Sequence, residues 1–169
     1  MASDLLSNAT RGRLAEYLVA ADLGVAAGVR REWLAHDLTT KDGTKIEVKS
    51  AAYVQGWTQR RPSTISFDIR PTLGWDPDTA LFGDAQRRQA DIYVFCLLEE
   101  QDVERVDPMN VTQWRFFVLA TSVLDQRCLT QKSIGLKKLQ SLEPEEAQFG
   151  CIAQAVSRLA SRPAAPKHG

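Results

Sequence analysis

The 169 residues balance 21 lysines and arginines against 21 aspartates and glutamates. This excludes a protein that coats nucleic acid by bulk charge, although a local basic cleft stays open. An apolar content of 44% with 25% charged residues is that of a globule with a sizeable core, expected as one domain over residues 1–162 with a disordered tail at 163–169. The longest apolar run, Ile92 to Leu98, is far short of the roughly 18 residues of a membrane span. Met1-Ala2-Ser3-Asp4 carries no basic leader region, and Cys96, Cys128 and Cys151 form no Cys-x-x-Cys pair, so reduced thiols, no membrane contact and a cytoplasmic location are expected.

Residues 7–24 read as the first helix, with Ser7 or Asn8 as N-cap and Gly24 as the stop. Leu14, Tyr17, Leu18, Ala21 and Val25 define one apolar face. Glu16 sits in a second stripe with Gly12, Val19, Ala20 and Leu23, edged by Arg11 and Asp22. A carboxylate so embedded needs an arginine partner or an active-site role.

Arg30-Arg31-Glu32 leads into a strand from Trp33 to Leu38, and Lys41-Asp42-Gly43-Thr44 is a tight turn with positive φ at the glycine. Ile46, Glu47, Val48 and Lys49 then alternate, so Glu47 and Lys49 share one face of a strand. Pairing across the turn brings Asp37 near Glu47. Two converging carboxylates make a hard-oxygen site suited to Mg²⁺ or Mn²⁺, with Lys49 at its edge. Asp42 is a rival ligand already occupied by the turn, and His36, facing away from Asp37, reads as packed and not as a base.

From Tyr53 to Gln89, basic, amide and aromatic residues interleave with prolines; Gln55, Trp57, Arg60 and Arg61 are of the kind that phosphate contact and base stacking require. Ile65, Phe67 and Ile69 alternate as a half-buried strand. Asp91, before the central strand that runs to Leu98, reads as a structural partner of Arg87 or Arg88, and 114–120 is a second buried strand. Lys132, Lys137 and Lys138 form a basic patch. Glu143-Pro144-Glu145-Glu146 reads as a helix start, with Phe149, Ile152, Ala155, Val156 and Leu159 as its buried face.

At Asp37, Glu47-Val48-Lys49 and Glu16 the chain resembles the PD-(D/E)XK nuclease superfamily, whose pattern is a metal-binding Asp, a spacer, (Asp/Glu)-x-Lys on the next strand and a Glu on a preceding helix. His36 stands where a proline often precedes the Asp. The resemblance implies an α/β, restriction-endonuclease-like fold with a mixed central sheet of about five strands flanked by helices. It further implies a Mg²⁺- or Mn²⁺-dependent endo- or exonuclease acting on DNA, in which Asp37, Glu47 and the Val48 carbonyl hold the metal. Lys49 would stabilise the transition state, Glu16 would complete the site, and Gln55 would reach it from the loop beyond. A homodimer is compatible with this reading. The alternative is an inactive nucleic-acid-binding or protein-interaction module on the same fold.

Overall fold

The computed structural model describes residues 2–25, 36–76 and 78–162. The expected strand start at Trp33, its Arg30-Arg31-Glu32 lead-in and the tail 163–169 lie outside the described residues. In chain order the elements are α1 (Ala2–Leu5), α2 (Asn8–Leu23), β1 (Leu38–Thr39), β2 (Lys45–Ala52), β3 (Ser66–Asp68), β4 (Trp75–Asp76), β5 (Leu81–Phe82) and β6 (Ile92–Leu98). They continue with β7 (Trp114–Ala120), α3 (Thr121–Arg127), β8 (Ser133–Gly135), α4 (Leu136–Ser141), β9 (Glu145–Ala147) and α5 (Ile152–Ala160).

Five strands form the central mixed sheet in the order β1-β2-β6-β7-β9. Only β2 and β6 run parallel within it; the other neighbours are antiparallel. Every residue of β6 is buried, as a continuous run of apolar β-formers requires of a strand covered on both faces. On one face Ile46, Val48, Val94 and Phe116 pack against Ala15, Leu18 and Val19 of α2 and Ile152, Ala155 and Val156 of α5. On the other, Phe95, Phe117 and Leu119 pack against Phe67, Leu124, Ile134 and Leu139. This is the α/β architecture expected from the sequence.

The ends of α2 are where local chemistry puts them. Ser7 Oγ accepts the Thr10 N–H at 3.3 Å, and Gly24 closes the helix at φ 64°, its N–H reaching the Ala20 and Ala21 carbonyls. The buried face differs from the expected one: Arg11, Ala15, Leu18, Val19 and Ala20 point inward, while Tyr17 is 58% exposed. Apolar residues are spread almost evenly around this helix, so the sheet and not an amphipathic stripe selects its inner side.

Three further expectations are corrected. The Ile65-Phe67-Ile69 strand is real and inward at alternate positions, but β3 pairs with β8 in a separate two-stranded sheet. Counted with the hairpin and the two buried strands it would be the fifth strand of the central sheet, but that place is taken by β9, because residues 145–147 extend along β7 and do not begin a helix. There Glu146 meets Arg115 at 2.6 Å and Glu145 meets Arg158 at 2.7 Å. Helix α5 starts after Gly150, and Asp22 of α2 caps it by accepting the Ile152 and Ala153 N–H groups at 3.2 and 3.0 Å. Asp91, finally, takes the Lys45 N–H at 2.8 Å, while Arg88 pairs with Asp125 at 2.8 Å.

Candidate active site

The turn that organises the site is built by its own side chains. Gly43 sits at φ 91°, Thr40 N–H reaches the Thr44 carbonyl at 2.9 Å, and Asp42 accepts from the Thr44 hydroxyl at 3.2 Å and from the Thr40 hydroxyl. These bonds hold the Asp42 carboxyl below its ordinary pKa, the Thr40 contact foremost. Asp42 thus serves the turn, as its place before a glycine predicts. His36 is half-buried, with Nε2 2.7 Å from the Thr39 hydroxyl, and burial lowers its pKa.

The turn sets a register of Leu38 opposite Ile46, which places Asp37 opposite Glu47. Asp37 N–H donates to the Ile46 carbonyl at 3.0 Å, and Asp37 Oδ2 accepts the Val48 N–H at 2.8 Å. Among the described residues β1 pairs with β2 only at Leu38 and Thr39. Just before β1 begins, the Asp37 carboxylate is therefore the partner of the β2 backbone N–H. The expected proximity of Asp37 and Glu47 follows from this pairing.

Glu47 and Lys49 project from the same face of β2, beside Tyr93 and Phe95 of β6, with Lys49 Nζ 2.7 Å from Glu47 Oε1. Both are half-buried. Burial raises the Glu47 pKa above the ordinary carboxylate value, the Asp37 charge raises it further, Lys49 offsets part of this, and Glu16 adds to the rise. Burial likewise raises the Cys96 thiol pKa, with Asp37 and Glu16 adding to it. Glu16, half-buried on α2, is thus near enough for its charge to act on both. The four residues singled out in the sequence share one electrostatic environment, in which Asp37, Glu16 and Lys49 all act on Glu47.

That environment suits a divalent cation in donor chemistry, since hard carboxylate oxygens at a part-buried position favour Mg²⁺ or Mn²⁺. In geometry it is less complete: among the described residues no three His, Cys, Asp or Glu side chains gather closely enough to enclose an ion.

The loop residues are brought together elsewhere. Gln55, Trp57, Arg60 and Arg61 line one groove of about 640 Å³, together with Leu6, Gln101, Asp102 and Val103. It lies beyond the far end of β2. Gln55 turns away from the carboxylates: its Oε1 accepts from Arg11 at 3.1 Å and its Nε2 donates to the Ala52 carbonyl at 2.8 Å. Trp57 is 59% exposed. Arg11, read from the sequence as a polar edge, is in fact buried under this groove; the one available signal was its place one turn before Ala15 on a helix whose inner side the sequence left undecided.

Cys96, Cys128 and Cys151 form no disulfide, and no helix of the described residues is long and apolar enough to cross a membrane. Residues 1–138 match the sequence profile of the bacteriophage T4 endonuclease IV family. The matched region holds Glu16, Asp37, Glu47, Lys49 and the whole groove loop, and stops before β9 and α5. No curated protein matches the chain.

Proposed function

Since the chain belongs to the bacteriophage T4 endonuclease IV family, we propose that it is a metal-dependent nuclease that hydrolyses DNA phosphodiester bonds at a site of PD-(D/E)XK type. The observation that carries this reading is Glu47, part-buried beside Asp37 with the Lys49 ammonium 2.7 Å away. Two carboxylates forced together against their mutual repulsion are an arrangement that a cation relieves. Endonucleolytic cutting is the mode to test first, given the family to which the chain belongs. The domain is taken as residues 1–162, with two cores sharing one sheet, and three unbridged thiols suit a reducing cytoplasm.

Asp37 and Glu47 would hold Mg²⁺ or Mn²⁺, with the Val48 carbonyl beside them. When bound, the ion supplies charge neutralisation and Lewis-acid polarisation at the phosphate. Asp37 keeps its carboxylate oriented through the Val48 N–H, so little reorganisation accompanies substrate binding. Lys49, on the same face as Glu47, places a positive charge and three donors where negative charge develops on the phosphoryl oxygens. Glu16 adds a third carboxylate to the same field and favours cation entry.

Calorimetric titration of Mn²⁺ into wild type, Asp37→Ala, Glu47→Ala and Lys49→Ala, each paired with a DNA cleavage assay, tests the assignment. Asp37→Ala and Glu47→Ala should lose both metal binding and cleavage. Lys49→Ala should keep the metal and lose rate by about 10²–10³-fold. Metal binding retained in Asp37→Ala would sink the ligand set, and wild-type cleavage in Glu47→Ala would move the site elsewhere. A non-catalytic binding module is the second reading, favoured by the lack of a three-donor cluster among the described residues; it predicts salt-dependent DNA binding with no cleavage under any divalent ion. A homodimer is carried as part of the first reading, and sedimentation at one chain mass would remove it alone.

A further inference from the structure

Arg11 is 4% exposed. Its guanidinium donates to the Leu6 carbonyl at 3.2 Å, to Gln55 Oε1 at 3.1 Å and to Asn8 Oδ1 at 2.9 Å. All three acceptors are neutral. Its Nε has no hydrogen-bond partner, and among the described residues no carboxylate forms an ion pair with it. Burial pulls its pKa down, with no acid to restore it. A buried cation with neither counter-ion nor full hydrogen bonding is costly, and an anion bound nearby would relieve that cost.

The surroundings say where that anion would sit. Leu6 and Gln55, two of the acceptors, line the groove that also holds Trp57, Arg60 and Arg61. Both arginines are exposed, and among the described residues neither pairs with a carboxylate. Ser7, next to Leu6, caps α2, so the positive end of a 16-residue helix without acids in its first turn points to the same place. Asp102, the carboxylate on the groove wall, is held by Arg105 at 3.1 Å. The groove is therefore electropositive inside a chain of zero formal charge.

We propose that this groove is a phosphate-anchoring subsite, in which Arg60 and Arg61 contact a backbone phosphate of the DNA strand while Arg11, behind Gln55, supplies buried positive charge. The identity of the strand rests on the nuclease reading; the anion site does not. From Glu47 to Ala52 the strand advances about 17 Å at 3.3 Å per residue. The groove lies beyond that end of β2, so the anchored phosphate is several nucleotide steps from the bond to be cut. Oligonucleotides of six or more nucleotides engage both places, and trinucleotides engage one.

The test is an NMR titration in EDTA, first with inorganic phosphate, then with a deoxyhexanucleotide and a deoxytrinucleotide. Phosphate should shift the Arg11 Nε–Hε signal and the amides of 7–11 and 55–61 in the wild-type protein. The hexanucleotide should bind about tenfold or more tightly than the trinucleotide. Arg60→Ala/Arg61→Ala, which touches no core contact, should weaken phosphate binding by about tenfold to a hundredfold, as should Arg11→Met, whereas Asp37→Ala should leave it unchanged. An unmoved Arg11 Nε–Hε signal, or equal affinity in wild type and the double variant, overturns the subsite whether or not Arg11→Met folds. Phosphate binding without cleavage in Mn²⁺ would remove the enzyme and keep the subsite; cleavage without these shifts would do the reverse.

Discussion

At Glu47, burial and the Asp37 charge outweigh the ammonium beside it. The raised Glu47 pKa, from burial first and the Asp37 charge second, means that the fold favours the protonated carboxyl. The stability this contributes is fully present below the ordinary glutamate value of 4.5 and is lost as pH rises through the higher folded-state value. In the metal-free protein, Glu47→Gln should therefore raise Tm at pH 7 and flatten the decline in Tm between pH 4.5 and neutrality. A Tm at or below wild type at pH 7 would count against the electrostatic account. The opposition of Asp37 and Glu47 was legible beforehand, because an Asp-Gly turn sets the register and a period of two sets the face. The tie between Gln55 and Arg11 was not, since it joins residues 44 positions apart through no repeating pattern.

At the scale of elements, caps were legible and partners were not. Ser7 and Gly24 bound α2 through groups within four residues of them in sequence. The inner side of α2 depends on what lies beneath it, and there Gly12 rests over Ser50. A Cβ at Gly12 would meet Ser50 Oγ at 3.9 Å, an ordinary contact. Gly12→Ala should accordingly stabilise the protein by about 0.5–1 kcal/mol through helix propensity, raising Tm by about 1–4 °C in a chain of this length; thermal unfolding followed by circular dichroism checks it. Glu145 and Glu146 resemble first-turn helix acids by their order after Pro144. Their real partners, Arg158 and Arg115, draw 145–147 onto the edge of β7, and the capping work at α5 passes to Asp22, 130 residues earlier in the chain.

Across the whole molecule, the layer opposite α2 and α5 is joined at Arg88, whose side chain is fully buried. It donates to the carbonyls of Ile69, Cys128 and Gln131 at 2.8, 2.8 and 3.3 Å and to Asp125 at 2.8 Å. Arg88→Met would leave three carbonyls without this donor and should cost about 3 kcal/mol, lowering Tm by roughly 6–12 °C. Loss of less than 1 kcal/mol in denaturant unfolding would show that the layer is held by apolar packing alone. Residue order alone sets the α/β class, the ends of α2, the buried strands β6 and β7, and the Asp37–Glu47–Lys49 grouping. Each depends on turn chemistry or on a short periodicity carried by neighbouring residues. Long-range packing sets which side of α2 faces the sheet, that β9 and not β3 completes it, and that Arg11 lies beneath the Gln55–Arg61 groove. Those outcomes come from contacts between residues far apart in the chain, where burial and charge are set by the partner and not by local order.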